Sequence, residues 1–215
     1  LLATGLTETT FTPEILESET EYFWKVVAHD DHNNSTEGPV WSFTTVIPHP
    51  PCPGTPTITY EGQVYNTILI GDQCWLKENL NVGTMIEGIE DMTNNSIIEK
   101  YCYDNDPANC EEYGGLYQWD EMMQYVNTEG AQGICPEGWH LPSDHEWKIL
   151  EGTVDSQYPV GDPIWNNSSW RGFDAGSNLK SIYGWFDNGN GINLYGFNLL
   201  PGGYRDYNGN FYSIV

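Results

Sequence analysis

The chain has 215 residues, 39% hydrophobic and 14% aromatic, which is enough apolar mass for one large domain or a small one joined to a medium one. Seven Lys and Arg stand against 31 Asp and Glu, a formal charge of -24, so a phosphate backbone or an anionic membrane surface would repel it and no nucleic acid partner is expected. No apolar run approaches the ~18 residues needed to cross a bilayer, so no membrane insertion is expected, and the abundance of Gly, Pro and Asn argues for a loop-rich build without long helices.

The chain starts at Leu1 without Met or a signal peptide and stops at Phe211–Val215 in what reads as mid-strand, so it is expected to be a fragment. Residues 18–45 contain an alternating strand (Tyr22, Trp24, Val26, Ala28), a polar turn and a second strand from Val40 to Thr45, which together read as a hairpin. This pattern resembles the last two strands of a fibronectin type III domain, with Leu16 and Tyr22 at the tyrosine corner and Trp24 pointing inward. Half a sandwich cannot bury its own inner face, so 1–46 is expected to be the end of such a domain, serving as a spacer. "VIPHPPCPGTP" follows, and its five prolines favour a stiff link, placed at 47–55, with a second domain from 56 to 215.

That second domain opens with "ITYEGQVYNTILIGDQCWLKENLN", short strands joined by Gly turns, which predicts a meander with Tyr65, Ile68, Ile70 and Trp75 in the core. Leu116, Trp119, Met122, Met123 and Val126 recur at helical spacing and predict an amphipathic helix over 116–126. In "GICPEGWHLPSDHEWKIL" Ser143 and Glu146 form a capping-box pattern, which starts a helix over 143–154 with Trp147, Leu150 and Val154 facing inward and His145 exposed. Near the end, Asn208-Gly209 between "YRDY" and "NFYSI" predicts a hairpin with a type I′ turn.

The five cysteines include no zinc-type pairing of C-x-x-C motifs, so disulfides are the better reading. Cys102 and Cys110 flank a loop rich in Asp, Asn and Pro, whose closure would remove roughly 2.5 kcal/mol of unfolded-chain entropy. Cys52 then pairs with Cys74 by elimination and proximity, and Cys135 is left odd, its partner expected beyond the C-terminal end. His145-Glu146 lacks a second His one turn on, so the zinc-protease pattern fails, and the stretch is structural. Asp104 and Asp106, crowded by other oxygen ligands around the Cys102–Cys110 loop, are the residues that could hold Ca²⁺. Asp206, Asn208 and Asn210 match the start of a calcium loop, but Phe211 stands where Gly is needed.

Four blocks in order, "GQVYNTILIGDQCWLKENLNVGT", "YCYDNDPANCEEYGGLYQWDEMM", "GICPEGWHLPSDHEWKILE" and "NLLPGGYRDYNGNFY", resemble the Fibrobacter succinogenes major paralogous domain over about residues 56–215. The resemblance implies an α+β, C-type lectin-like fold: two short helices flanking a small antiparallel sheet, with long loops forming the ligand surface. It also implies an exported, extracellular or cell-surface bacterial protein. The family's final block is absent here, as is a late Cys pair like that of formylglycine-generating enzymes, so an enzyme of that kind is disfavoured. The leading expectation is a non-catalytic adhesion module for a glycan or surface protein; the rivals are an envelope spacer and a secreted enzyme. Trp165, Trp170 and Trp185 lie in loops rich in Asn and Asp and are the candidates to stack on sugar rings.

Overall fold

The computed structural model describes residues 20–30, 34–45 and 49–214, together with Leu6, Phe11, Pro13, Leu16, Glu17 and His32. Ser18 and Glu19 of the expected hairpin, and Ile47 and Pro48 of the expected linker, lie outside the described residues. The chain divides into two compact units, Leu1–Pro48 and His49–Val215. It is α+β: short α-helices and small sheets, antiparallel except for one parallel pair among the described residues.

In the first unit β1 (Glu21–Trp24) pairs antiparallel with β4 (Trp41–Thr44), and β2 (Val27–His29) with β3 (Ser35–Glu37). The expected hairpin is therefore present. It is interrupted between its two ladders, where Gly38 N–H donates to the Val26 carbonyl and Lys25 pairs with Glu37 at 2.7 Å. Trp24, expected to point into a core, is 45% exposed. Its ring stacks on Trp41, directly opposite in the ladder, at 4.6 Å, so the two rings cover each other across the strand pair. The Tyr22 hydroxyl accepts from Glu17 N–H at 2.8 Å, tying the strand to the chain just upstream.

The second unit is built on a three-stranded meander of β5 (Thr57–Tyr60), β6 (Gln63–Ile70) and β7 (Gln73–Leu76). Glu61 and Gly62 both take positive φ, as the two-residue type I′ turn between β5 and β6 requires. Alternation along β6 puts Ile68 and Ile70 on one face, and the register sets Trp75 opposite Ile68. These three, with Leu150, Val154, Trp165, Ala175, Leu179 and Phe197, form the main core cluster. Burying each large apolar side chain contributes roughly 1.5–3 kcal/mol. Residues 49–55, read from composition as a linker, belong to this unit: Leu69 N–H donates to the Pro50 carbonyl, and Cys52 is buried and bonded to Cys74.

After β8 (Thr84–Met85) and β9 (Glu99–Lys100), a parallel pair, come α1 (Pro107–Tyr113), α2 (Trp119–Met122), α3 (Asp144–Val154) and α4 (Ala175–Leu179). The α3 helix starts as its sequence predicts, with Ser143 Oγ accepting from Glu146 N–H and the Glu146 carboxylate accepting from Ser143 N–H. The helix expected over 116–126 is only one turn long. Leu116 is held in a bridge with Tyr101, and Gln124 and Tyr125 adopt left-handed φ of 50° and 58°, which ends α2. Glu121, not an apolar residue, is its most buried side chain; the carboxylate accepts from Glu99 N–H, Tyr125 hydroxyl and Gln124 Nε2. The terminal hairpin, β10 (Tyr204–Arg205) with β11 (Phe211–Tyr212), is present with a different turn. Gly209 N–H bonds the Asp206 carbonyl and Gly209 alone of the loop residues has positive φ, giving a three-residue loop closed by a left-handed Gly instead of a type I′ turn.

Candidate functional site

The β6–β7 ladder fixes which backbone groups are left over. Lys77 N–H donates to the Asn66 carbonyl, so 66 and 77 form a hydrogen-bonded pair, and alternation makes 68 with 75 and 70 with 73 the next ones. The N–H and C=O groups of Cys74 and Leu76 therefore point away from β6. Since β7 is the last strand of its sheet, these groups lie on a free edge, without a backbone partner among the described residues.

A groove of about 1120 Å³ wraps this edge and is lined from both faces of β7: by Gln73 and Trp75 on the core side, and by Cys74 and Leu76 on the other. Its core-side wall is aromatic. Trp75 packs on Trp147 of α3 with ring centroids 5.0 Å apart and meets Phe197 edge-on at 6.1 Å. Trp75 Nε1 and Gln73 Oε1 are buried without a hydrogen-bond partner among the described residues, while Gln73 Nε2 donates to the Glu146 carbonyl. The opposite wall is acidic. Tyr65 lies on that side, its hydroxyl accepting from Asn81 N–H at 3.1 Å, and Asn81 Nδ2 reaches Glu111 of α1 at 3.4 Å. Lys100 donates to the Asn81 side chain, and burial lowers its pKa against the opposing pull of Glu111.

Two groups in the groove bear on its chemistry. Burial raises the Glu146 carboxyl, but hydrogen bonds from Ser143 and from His140 outweigh it, so the net shift is downward and the group is held as carboxylate. Its oxygens are thus engaged by the helix cap and by His140 Nε2 at 2.8 Å. Cys135, the free thiol, also lines the groove; burial pushes its pKa up to about 11, so it stays protonated and is a poor nucleophile.

The sequence-nominated residues are dispersed. Trp165 is 2% exposed, a core residue whose Nε1 donates to the Pro159 carbonyl, so it has no ring face free for a ligand. Trp185 is half-buried, its Nε1 bonded to Ser181 Oγ and the Leu199 carbonyl, and Lys180 Nζ sits 4.6 Å over its ring. Trp170 alone is open, at 98% exposure. No two of the three stack on each other among the described residues.

Both disulfides form as expected, Cys102–Cys110 and Cys52–Cys74. Asp106 is the N-cap of α1, accepting from Ala108 N–H ahead of Pro107 at the first helical position, and Asp104 is exposed in the preceding 3-10 turn. No three His, Cys, Asp or Glu side chains converge as a metal site among the described residues. Asp206 Oδ1 is likewise occupied, accepting from Asn208 and Asn210 N–H within the hairpin loop. The groove has no signature in any one stretch of the sequence: its walls come from segments near 73–81, 111–112, 135–147 and 193–200 that only the fold brings together.

The family model described as Fibrobacter succinogenes major domain matches residues 68–214, well over half of the chain. No curated protein and no solved structure matches it.

Proposed function

This chain belongs to the Fibrobacter succinogenes major domain family, and from that premise we propose that it is a non-catalytic binding and adhesion module working outside the cell. The reading includes a C-type lectin-like arrangement of the His49–Val215 unit and, before it, the end of a fibronectin type III sandwich. The observation that carries it is the groove around β7, which combines tryptophan faces, fixed amide and carboxylate groups and a free strand edge in one surface. Such a mixture recognises a ligand by shape and hydrogen bonding.

Supporting features lie elsewhere in the chain. Two disulfides suit an oxidising compartment, and the dense negative charge suits a well-solvated exterior protein. The bond from Glu17 N–H to the Tyr22 hydroxyl has the form of a tyrosine corner, which supports the fibronectin type III reading. Glu146, the acid best placed in the groove, is a capping residue, which favours binding over acid–base chemistry there.

A second reading, a glycan ligand held outside the groove, is favoured by Trp170 and by the smaller cleft where exposed Trp119 and Tyr207 stand beside Asp91 and Asp120. The test is a screen of immobilised glycans and extended peptides, with and without Ca²⁺, repeated with Trp147→Ala and Trp170→Ala. Binding lost in Trp147→Ala and kept in Trp170→Ala supports the groove; the reverse pattern supports the surface glycan site. No binding of any probe would refute a binding module.

A further inference from the structure

Resting on the reading of the groove as a binding surface, we propose that its ligand is an extended, cationic polypeptide segment that adds to the sheet as a fourth strand along the free edge of β7. The first observation is the edge itself. Cys74 and Leu76 present two N–H donors and two C=O acceptors away from β6, and β7 carries neither a proline nor a bulge that would blunt pairing. The second is the shape: the groove is lined from both faces of β7, so it is a slot in the plane of the sheet, whereas a site on one face would be lined by alternate residues only.

The third observation is charge. Six carboxylates line the slot, Asp72, Glu78, Glu111, Glu112, Glu137 and Glu146, against Lys77 in the lining and Lys100, bonded to Asn81 and acting on Glu111, so the excess is negative, an acidic segment is repelled and a basic one drawn in. The two walls also dictate a pattern. Side chains of an added strand alternate between the faces of the sheet, one set meeting Trp75, Trp147 and Phe197, the other meeting the side where Tyr65 and Glu111 lie. The segment that fits is one in which apolar residues alternate with Lys or Arg. Main-chain bonds to Cys74 and Leu76 supply affinity, and the alternating side chains supply specificity.

The experiment measures binding of short synthetic peptides to the 215-residue chain by fluorescence anisotropy. A Lys–Val alternating peptide is compared with a Glu–Val one, and with Lys–Val peptides N-methylated on one or the other set of alternate amides. Strand addition predicts that Lys–Val binds, that Glu–Val binds at least roughly tenfold more weakly, and that added salt weakens the interaction. It also predicts that methylating one set of amides weakens binding roughly five- to tenfold per blocked bond, while methylating the other leaves it unchanged. Leu76→Pro removes an outward N–H that takes no part in the β6 ladder and should weaken binding similarly; the methylated peptides keep the test decisive if that variant fails to fold.

Equal effects of the two methylation sets, or equal binding of Lys–Val and Glu–Val, would overturn the proposal. So would a failure of every peptide to bind, as happens if a second copy of the chain pairs through β7, seen as a dimer in sedimentation, or if another segment of a longer form of the protein already fills the slot. If all peptides fail while a glycan probe binds and is lost in Trp147→Ala, the groove reading survives and only the strand is wrong. If both fail, both fall.

Discussion

Asp155 closes the C-terminal end of α3, and its carboxylate holds together two loops that the core depends on. Oδ1 accepts from the backbone amides of Gln157 and Tyr158, and Oδ2 from those of Phe173, Asp174 and Ala175, the last being the first residue of α4. Burial alone would raise this carboxyl, but hydrogen bonds from the amides of Phe173, Tyr158, Gln157 and Asp174 outweigh it and bring its pKa to about 2, below the ordinary 3.8. Asp155→Asn is nearly isosteric, yet it keeps only one acceptor oxygen and aims an NH₂ group at the remaining amides. Losing two charge-assisted bonds at ~1.5 kcal/mol each predicts a destabilisation of about 3 kcal/mol at neutral pH. The pH dependence has a definite sign. Because the folded-state pKa is depressed, the carboxylate's contribution is complete above the ordinary carboxylate range and is lost as pH falls from about 4 through about 2. Urea unfolding of both proteins should therefore show a gap that is wide at pH 7 and narrows below pH 4. A gap under about 0.5 kcal/mol at pH 7, or one equally wide at pH 7 and in acid, would mean that the charged Asp155 carboxylate does not hold these loops.

Two further outcomes follow from the packing. Gly152 lies inside α3, where helix propensity favours Ala by ~1 kcal/mol, but a Cβ there would stand 2.7 Å from the backbone N and Cα of Val160. Gly152→Ala should lower stability by about 2 kcal/mol in thermal or urea unfolding, opposite in sign to propensity; a stabilised variant would contradict the close approach. Cys135, the free and buried cysteine with its pKa near 11, should resist iodoacetamide in the folded chain at pH 8 and react fully once urea unfolds it, as mass spectrometry will read; rapid labelling of the folded chain would contradict its burial.

What the sequence carried plainly was local. The Ser143–Glu146 capping box, the alternation of Ile68 and Ile70, and the short Cys102–Cys110 loop are set by neighbours in the chain, and the structure has each of them. Asp106-Pro107 was an equally local helix signal, but the turn-forming residues around it masked α1. The stripe at 116–126 misled because apolar spacing says nothing about Tyr125 and Gln124 turning left-handed, or about a buried Glu121 satisfied by Glu99. Trp165, Trp170 and Trp185 are the same residue in similar company, and only tertiary packing separates a core ring, an open one and one capped by Lys180. The groove was illegible for a related reason: ladder parity decides which amides of β7 are free, and its walls arrive from loops distant in the chain.

If the edge of β7 is an open binding surface, amide hydrogen exchange at Cys74 and Leu76 will show it. In the free chain these two amides should exchange rapidly while Trp75, bonded to β6, is protected, and a Lys–Val alternating peptide should slow both. Protection of Cys74 and Leu76 before any peptide is added would mean that the edge is already closed, and rapid exchange unchanged by saturating peptide would mean that no strand is added there.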